Sequence, residues 1–135
     1  MRPDRTLTGF TNFEFSVGGK WFEILKEIKP QTVQFTVLYN PKTAPYAESY
    51  VSSILAASHA SGSRANTAHV QDQTEIESAI AAIIEVPNSA LIVMPDIFTA
   101  SNYELIVELA SKYRLPAIYP FQIFRYRWRF VLVRN

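Results

Sequence analysis

The feature of this sequence that most constrains its fold is a regular alternation of strand-like and helix-like segments. Short apolar or β-branched segments begin near residues 32, 65, 90 and 116, and each except the last is followed by a segment with helical periodicity. A strand followed by a helix is the repeating unit of parallel sheets, in which right-handed crossovers place helices on both faces. The alternation predicts a three-layer α/β/α fold with a mainly parallel sheet of four to five strands.

The individual segments carry local signals for where they begin and end. KWFEILKEI, which precedes Pro30, has apolar residues at the helical period, and residues 32–40 (TVQFTVLYN) are typical of a buried strand. Asp72–Glu75 and Ser101–Glu104 both have the spacing of a capping box. We therefore expect a helix to begin at each of these two segments.

Composition limits the kinds of function open to the chain. Its 135 residues, 48% hydrophobic and 19% charged, predict one folded domain over residues 1–135. A net charge of +1 provides no general attraction for nucleic acid or an anionic membrane, so neither is expected as a partner. With no Cys and only two His, we expect no metal site and no cofactor. No apolar h-region follows Arg2 and Arg5, which predicts a cytoplasmic location for the chain as written.

Five residues are candidates for a binding site because they lie at the predicted carboxyl ends of strands, where open parallel sheets bind ligands. They are Tyr39, Asn40, Asp96, Thr99 and Tyr119. Asp96 directly follows the apolar run ALIVMP, so its carboxylate could pair with an ammonium group or could cap the next segment. Tyr119 could stack on a ligand or could belong to the core.

The sequence lacks the motifs of common enzymes, and we expect the protein not to be one. GxSxG, GxxxxGK[ST] and GxGxxG are all absent, and Gly18-Gly19 lacks the preceding strand that a phosphate-binding turn needs. His59 and His69 are interpreted as surface or packing residues rather than an acid/base pair. A receiver-like or flavodoxin-like domain is a weaker alternative, because Asn40 and Tyr119 stand where a receiver has an acidic residue and a lysine.

Several segments, taken in order, resemble a known family. They are LTGFTNFEFSVGGKWFEILKEIKP, VLYNPKTAPYAESY, EIESAIAAI and LIVMPDIFTASNYELIVELASKYRLPAIYPF, and they span about Leu7 to Phe121. They resemble the middle portion of ABC-transporter substrate-binding proteins of the type I periplasmic-binding-protein superfamily, in the tryptophan/tyrosine-type branch. The resemblance implies one lobe of a two-lobed receptor that closes on a small solute, often an amino acid, and docks on a membrane permease.

The resemblance also implies roles for particular residues. Thr8-Gly9, within a crossover-like segment over residues 1–16, would lie near the hinge, and Asn40, Asp96 and Tyr119 would face the cleft between lobes. Family members are periplasmic and carry an export signal and a first lobe. This chain shows neither and departs from the family pattern after Phe121, so we interpret it as a truncated solute-binding component.

The divergent C-terminal segment, residues 122–135, alternates arginines with aromatic and aliphatic residues in FRYRWRFVLVRN. This alternation predicts an edge strand, in the same sheet or across a dimer, rather than an arm that binds single-stranded nucleic acid. Without a partner lobe Phe10, Phe13 and Phe15 would be exposed, which favours a homodimer. The alternative to solute binding is a vestigial, self-associating domain with no ligand of its own.

Overall fold

The computed structural model describes the backbone of residues 4–10, 17–124 and 127–133, and the side chains of residues 17–120. Within these ranges the chain alternates strands and helices. The strands are β1 (Asp4–Phe10), β2 (Gln34–Tyr39), β3 (Arg64–His69), β4 (Ser89–Val93), β5 (Ala117–Phe124) and β6 (Arg127–Val133). The helices are α1 (Val17–Ile28), α2 (Ala47–Ser61), α3 (Gln73–Ile84), α4 (Ile97–Ser101) and α5 (Tyr103–Lys112).

The strands form one sheet in the order β1-β6-β5-β4-β2-β3. Strands β2, β3, β4 and β5 pair in parallel, whereas β6 is antiparallel to both of its neighbours. The prediction of a three-layer, mainly parallel α/β fold is confirmed. The predicted count of four to five strands is too low, because both terminal segments add a strand to the sheet, which has six strands among the described residues.

The interpretation of the C-terminal segment as an edge strand is wrong. Strand β6 lies between β1 and β5, with Arg129 opposite Thr8 on one side and opposite Phe121 on the other. Both of its backbone edges are therefore hydrogen-bonded, and the edge position belongs to β1. The predicted faces of FRYRWRFVLVRN and the predicted exposure of Phe10, Phe13 and Phe15 concern side chains outside the described residues.

The core consists of two apolar clusters, one on each face of the sheet. Alternation along β2 directs Phe35, Val37 and Tyr39 into the cluster with α1 and α2, and Leu38 into the cluster with α3 and α5. Fully burying an aliphatic or aromatic side chain contributes roughly 1.5–3 kcal/mol. The two clusters thus hold the helices to the sheet and fix the ends of the strands relative to one another. Among the described residues, no helix has the length and apolar character needed to cross a membrane.

Gly18 and Gly19 let α1 approach α2 closely. A Cβ at Gly18 would lie 2.5 Å from the carbonyl oxygen of Tyr50, whereas a Cβ at Gly19 would meet nothing closer than 3.5 Å. The Gly19 N–H also donates to Ser53 Oγ at 3.1 Å. This glycine pair serves helix packing, in agreement with the expectation that it is not a phosphate-binding turn.

One of the two predicted capping boxes lies at a helix start. Asp72 caps α3, since its Oδ1 accepts from the Glu75 N–H at 2.8 Å. The box predicted at Ser101–Glu104 is wrong, because Asn102 makes no side-chain cap to α5 and instead donates through Nδ2 to the Phe98 carbonyl at 2.9 Å. A short helix, α4, comes before α5 and has a cap of its own.

Candidate functional site

The structure brings the five predicted site residues to one end of the sheet. Tyr39 ends β2 and Asn40 follows it, and Asp96 and Thr99 follow β4. The sequence predicts that Tyr119 ends its strand, but β5 continues past it to Phe124, so Tyr119 lies level with the end of β4 rather than at the end of β5. Strands β5, β4 and β2 are consecutive neighbours and run in parallel, so their carboxyl ends meet at the same edge. The Asn40 N–H lies 3.4 Å from Asp96 Oδ2, which joins the first two of these strand ends directly.

Asp96 is the N-cap of α4. Its Oδ1 accepts from the Thr99 N–H at 2.8 Å, and the Asp96 N–H donates to Thr99 Oγ1 at 3.2 Å, so the two residues form a reciprocal capping box. The same Oδ1 also accepts from the Thr43 hydroxyl at 3.2 Å. The sequence left two interpretations of Asp96, a partner for a ligand ammonium or a cap for the next segment. The structure shows the cap. Oδ2 has only the long contact with Asn40, and a carboxylate oxygen can accept further hydrogen bonds.

Thr99 is buried and its hydroxyl is engaged within the protein. The Thr99 Oγ1 donates to the Met94 carbonyl at 2.7 Å while it accepts from the Asp96 N–H. Tyr46 adds a further bond to the turn, from its hydroxyl to the Pro95 carbonyl at 2.5 Å. Burial raises the pKa of Tyr46, and the nearby Asp96 charge raises it further. These contacts hold the Asp96 carboxylate in place, so Thr99 acts here by positioning Asp96.

Tyr39 is engaged with two residues that the sequence did not indicate. Its hydroxyl lies 2.9 Å from His69 Nε2 and 3.4 Å from Glu48 Oε1, and its ring meets the His69 ring edge-on. Burial raises the pKa of Tyr39, and the Glu48 charge adds to the effect. His69 stands directly opposite Tyr39 in the β2–β3 register, so only knowledge of the strand pairing could have linked them. The interpretation of His69 as a surface or packing residue agrees with this contact.

Asn40 is buried, and within the described residues only the oxygen of its side-chain amide has a hydrogen-bond partner. Oδ1 accepts from the Lys42 N–H at 2.9 Å in a local turn, and no described residue accepts a hydrogen bond from Nδ2. The backbone carbonyl of Asn40 accepts from the Ala44 N–H at 2.9 Å, which fixes the loop before α2. The side-chain Nδ2 of Asn40 is therefore a donor without a partner among the described residues, on a residue whose backbone N–H contacts the Asp96 carboxylate.

Tyr119 lines a cavity of about 130 Å³ at the carboxyl end of β4, beside the first half of β5. The residue is 3% exposed, and its hydroxyl has no hydrogen-bond partner among the described residues. Burial strongly raises the pKa of this hydroxyl, with a smaller contribution from neighbouring Tyr103, whose ring packs edge-on at 5.3 Å. The walls of the cavity are mostly apolar and consist of Val93, Met94, Pro95, Asp96, Thr99, Ala100, Tyr119 and Pro120.

Comparison with known proteins decides the family. The family model described as ABC transporter substrate binding protein matches residues 1–121. The chain belongs to this family. No curated protein sequence matches it. The end of the sheet that carries Asn40 and Asp96 is thus part of a substrate-binding-protein fold.

Solved structures similar to this substrate-binding-protein chain have the same fold. An ABC domain in complex with L-Trp from Streptococcus pneumoniae is 19% identical, with a TM-score of 0.68 over 78% of this chain and 35% of that chain. A ligand-free, open substrate-binding protein with adhesive properties from Clostridium difficile is 20% identical, with a TM-score of 0.63 over 74% of this chain and 33% of that chain. A conserved domain protein from Vibrio cholerae is 24% identical, with a TM-score of 0.63 over 76% of this chain and 34% of that chain. The chain therefore spans about a third of each structure, as one lobe would.

A second cavity lies at the opposite, amino-terminal edge of the sheet. Its volume is about 240 Å³, and the loops that enter β2, β4 and β5 line it, with Lys29 and Arg114 among its residues. Helices α1, α3 and α5 end in these loops, and cations near helix carboxyl termini offset the partial negative charge there. The two basic residues thus have a structural explanation at this edge. Among the described residues, no group of three or more His, Asp or Glu could hold a metal ion.

Proposed function

We propose that this chain binds a small organic solute, such as an amino acid, at the carboxyl ends of β2 and β4, beside Tyr119 of β5. The observation that carries the proposal is that the Asn40 backbone N–H lies 3.4 Å from Asp96 Oδ2, which brings to neighbouring strand ends two residues with spare hydrogen-bonding capacity, Asn40 at its Nδ2 and Asp96 at its Oδ2. The two groups are complementary to the carboxylate and the ammonium of an amino acid. Family membership and the L-Trp complex of the streptococcal neighbour support this class of ligand.

In this proposal the five residues have different roles. Asp96 accepts from the ligand ammonium, Asn40 donates to a ligand oxygen, and Tyr119 contacts the remainder of the ligand in the adjacent cavity. Thr99 and Tyr39 act indirectly, because Thr99 fixes the Asp96 carboxylate and Tyr39 is held by His69. The role is binding rather than catalysis. In a two-lobed receptor the bound form would then dock on an ABC permease.

A thermal-shift panel of the standard amino acids and small organic acids, with L-tryptophan included, tests the proposal. We expect at least one compound to raise the melting temperature of the wild-type chain. The Asp96→Asn variant should lose this shift, because asparagine still caps α4 but lacks the charge that binds an ammonium. The matched control is Asp72→Asn, which makes the same change at the cap of α3. No shift with any compound, or the same shift in Asp96→Asn, would refute the proposal.

A self-associating domain is the second candidate function, and an exposed side chain favours it. Ile97 is 76% exposed at the start of α4, and Tyr46 and Tyr103 are each 39% exposed. An apolar surface at this edge favours association with a second copy, which would also cover the open side of the site. Light scattering over a concentration series should show a dimer that Ile97→Lys converts to a monomer. A wild-type chain that stays monomeric throughout would exclude this function.

A further inference from the structure

We infer that the open edge of β3 is a pairing surface for the same strand of a second copy of this chain. The inference goes beyond solute binding and does not depend on it. It also concerns a different surface from the one around Ile97, because β3 is the last strand in the sheet order whereas α4 follows β4.

Strand β3 has backbone hydrogen bonds on one side only. Among the described strands it pairs with β2 alone, and the N–H groups of Arg64 and Val70 donate to carbonyls at the two ends of β2, at 2.9 and 3.0 Å. Successive strand residues direct their backbone groups to opposite sides. The N–H and carbonyl groups of Ala65, Thr67 and His69 therefore point away from the sheet, and no described residue bonds to them.

The space beside this edge is open. Thr67 and His69 are exposed, and a groove of about 760 Å³ runs beside the first half of β3. Its lining residues include Ser63–Asn66 and also Leu55 of α2, whose side chain is 44% exposed. Neighbouring strands lie about 4.7–4.9 Å apart, so a strand added to this edge would run along the groove.

The edge lacks the features that proteins commonly use to prevent such pairing. Natural edge strands are often protected by a lysine, a proline or a β-bulge. Residues 65–69 (ANTAH) contain neither lysine nor proline, and the β2–β3 register runs without a shift. The charged residue of β3, Arg64, stands at its first position. The outward-facing backbone groups are thus open to another strand.

The strand is also complementary to itself. Antiparallel pairing centred on Thr67 places the two Thr67 residues opposite each other and Ala65 opposite His69, so each outward-facing residue exchanges both backbone bonds with its counterpart. Opposed threonines are favourable across strands. The two Arg64 residues would stand about 20 Å apart, which screens their repulsion. Such a contact closes on itself with two copies, which favours a second copy as the occupant.

Hydrogen exchange followed residue by residue by NMR tests the pairing, together with light scattering over the same concentration series. We expect a dimer in which the amides of Ala65, Thr67 and His69 become protected as the protein concentration rises. The amides of Asn66 and Ala68, which face β2, should be protected at every concentration.

Two variants of Thr67 should weaken the dimer. Thr67→Pro removes the outward N–H without removing a bond to β2, and proline is tolerated at such edge positions. Thr67→Lys places two like charges opposite each other. Each should raise the dimer dissociation constant about tenfold or more, because two cross-strand contacts are lost or opposed in every dimer. The matched control is Thr74→Lys, at an exposed position of α3, which should leave the constant unchanged, as should Ile97→Lys.

Three results would overturn the inference. One is a wild-type chain that stays monomeric, which is also expected if the edge receives a strand from a different protein. Another is a dimer in which the outward-facing amides of β3 exchange equally fast at every concentration. The third is a dimer that Ile97→Lys dissociates and Thr67→Lys does not, because the contact would then lie near α4.

Discussion

Asp96 and Thr99 cap one another at the start of α4, with the Asp96 carboxylate 2.8 Å from the Thr99 N–H and the Asp96 N–H 3.2 Å from the Thr99 hydroxyl. Thr43, from the loop after β2, donates a second hydrogen bond to the same carboxylate oxygen at 3.2 Å. Asp96, the residue proposed to bind the ligand ammonium, is thus also a structural anchor between two strand ends. In that proposal binding and stability are coupled at Asp96, and substitutions must be chosen to separate them.

Removing the Asp96 side chain should destabilise the protein more than removing an ordinary helix cap. Loss of a capping carboxylate costs about 1 kcal/mol, which is the expected effect of Asp72→Ala at α3. Asp96→Ala also leaves the buried Thr99 N–H without its acceptor and removes the hydrogen bond from the exposed Thr43 hydroxyl, so we expect a loss of about 2 kcal/mol or more. Urea unfolding of the two variants measures the difference. Equal losses would show that the additional contacts of Asp96 contribute nothing to stability.

The two adjacent glycines of α1 should respond in opposite ways to alanine. At Gly18 the new methyl group would collide with the Tyr50 carbonyl, and overpacking of this kind costs about 1–3 kcal/mol. At Gly19 the new methyl group has ordinary contacts, and replacing glycine in a helix by alanine gains up to about 1 kcal/mol. Thermal unfolding should therefore show a lower melting temperature for Gly18→Ala and an equal or higher one for Gly19→Ala. A stable Gly18→Ala would mean that α1 and α2 can separate without cost.

Two buried tyrosine hydroxyls should differ in what they contribute to stability. The Tyr39 hydroxyl is bonded to His69, so Tyr39→Phe should cost about 1 kcal/mol. The Tyr119 hydroxyl has no partner among the described residues, so Tyr119→Phe should leave the free energy of unfolding unchanged or raise it. Denaturant unfolding of Tyr39→Phe and Tyr119→Phe in the absence of ligand gives both free energies of unfolding and checks both predictions. A loss of stability in Tyr119→Phe would indicate that its hydroxyl bonds to a part of the chain outside the described residues.

Alkaline pH should destabilise the fold through the buried tyrosines. Burial raises the pKa of Tyr119 and, to a smaller degree, that of Tyr39, so the folded state retains these protons at pH values where the unfolded chain has lost them. The stability they contribute is complete below the unfolded pKa of about 10 and is lost as pH rises above it. Unfolding measured from about pH 8 to pH 11 should show a decline that is shallower in Tyr119→Phe. Identical slopes in the wild type and in Tyr119→Phe would show that Tyr119 does not contribute to the loss of stability at alkaline pH.

The local signals in the sequence were sufficient to predict the three-layer fold. Periodicity places Trp21 and Leu25 on the buried side of α1, and the carboxyl-end rule for parallel sheets brings Asn40, Asp96 and Tyr119 to one edge. Such features follow from short-range patterns and from a general property of parallel sheets. They do not require knowledge of which strand pairs with which.

The features that were missed depend on long-range pairing. Whether β6 is an edge strand depends on where β1 packs, and the β1–β6 pairing joins residues from opposite ends of the chain. The Tyr39–His69 contact likewise depends on the β2–β3 register. At α5, the sequence of Ser101–Glu104 fits a capping box, but the preceding helix α4 engages Asn102 through the Phe98 carbonyl. In each case a tertiary contact decided between structures that were locally possible.

The central claim, that the ligand binds at the carboxyl ends of β2 and β4, beside Tyr119 of β5, is tested most directly by mapping backbone amide shifts in the isotope-labelled chain. The probes are L-tryptophan and pools of the other standard amino acids. The account predicts the largest changes at Asn40, Asp96 and Tyr119, with little change at Lys29 and Arg114 beside the opposite cavity. Changes confined to Lys29 and Arg114, or no saturable changes with any amino acid, would contradict it.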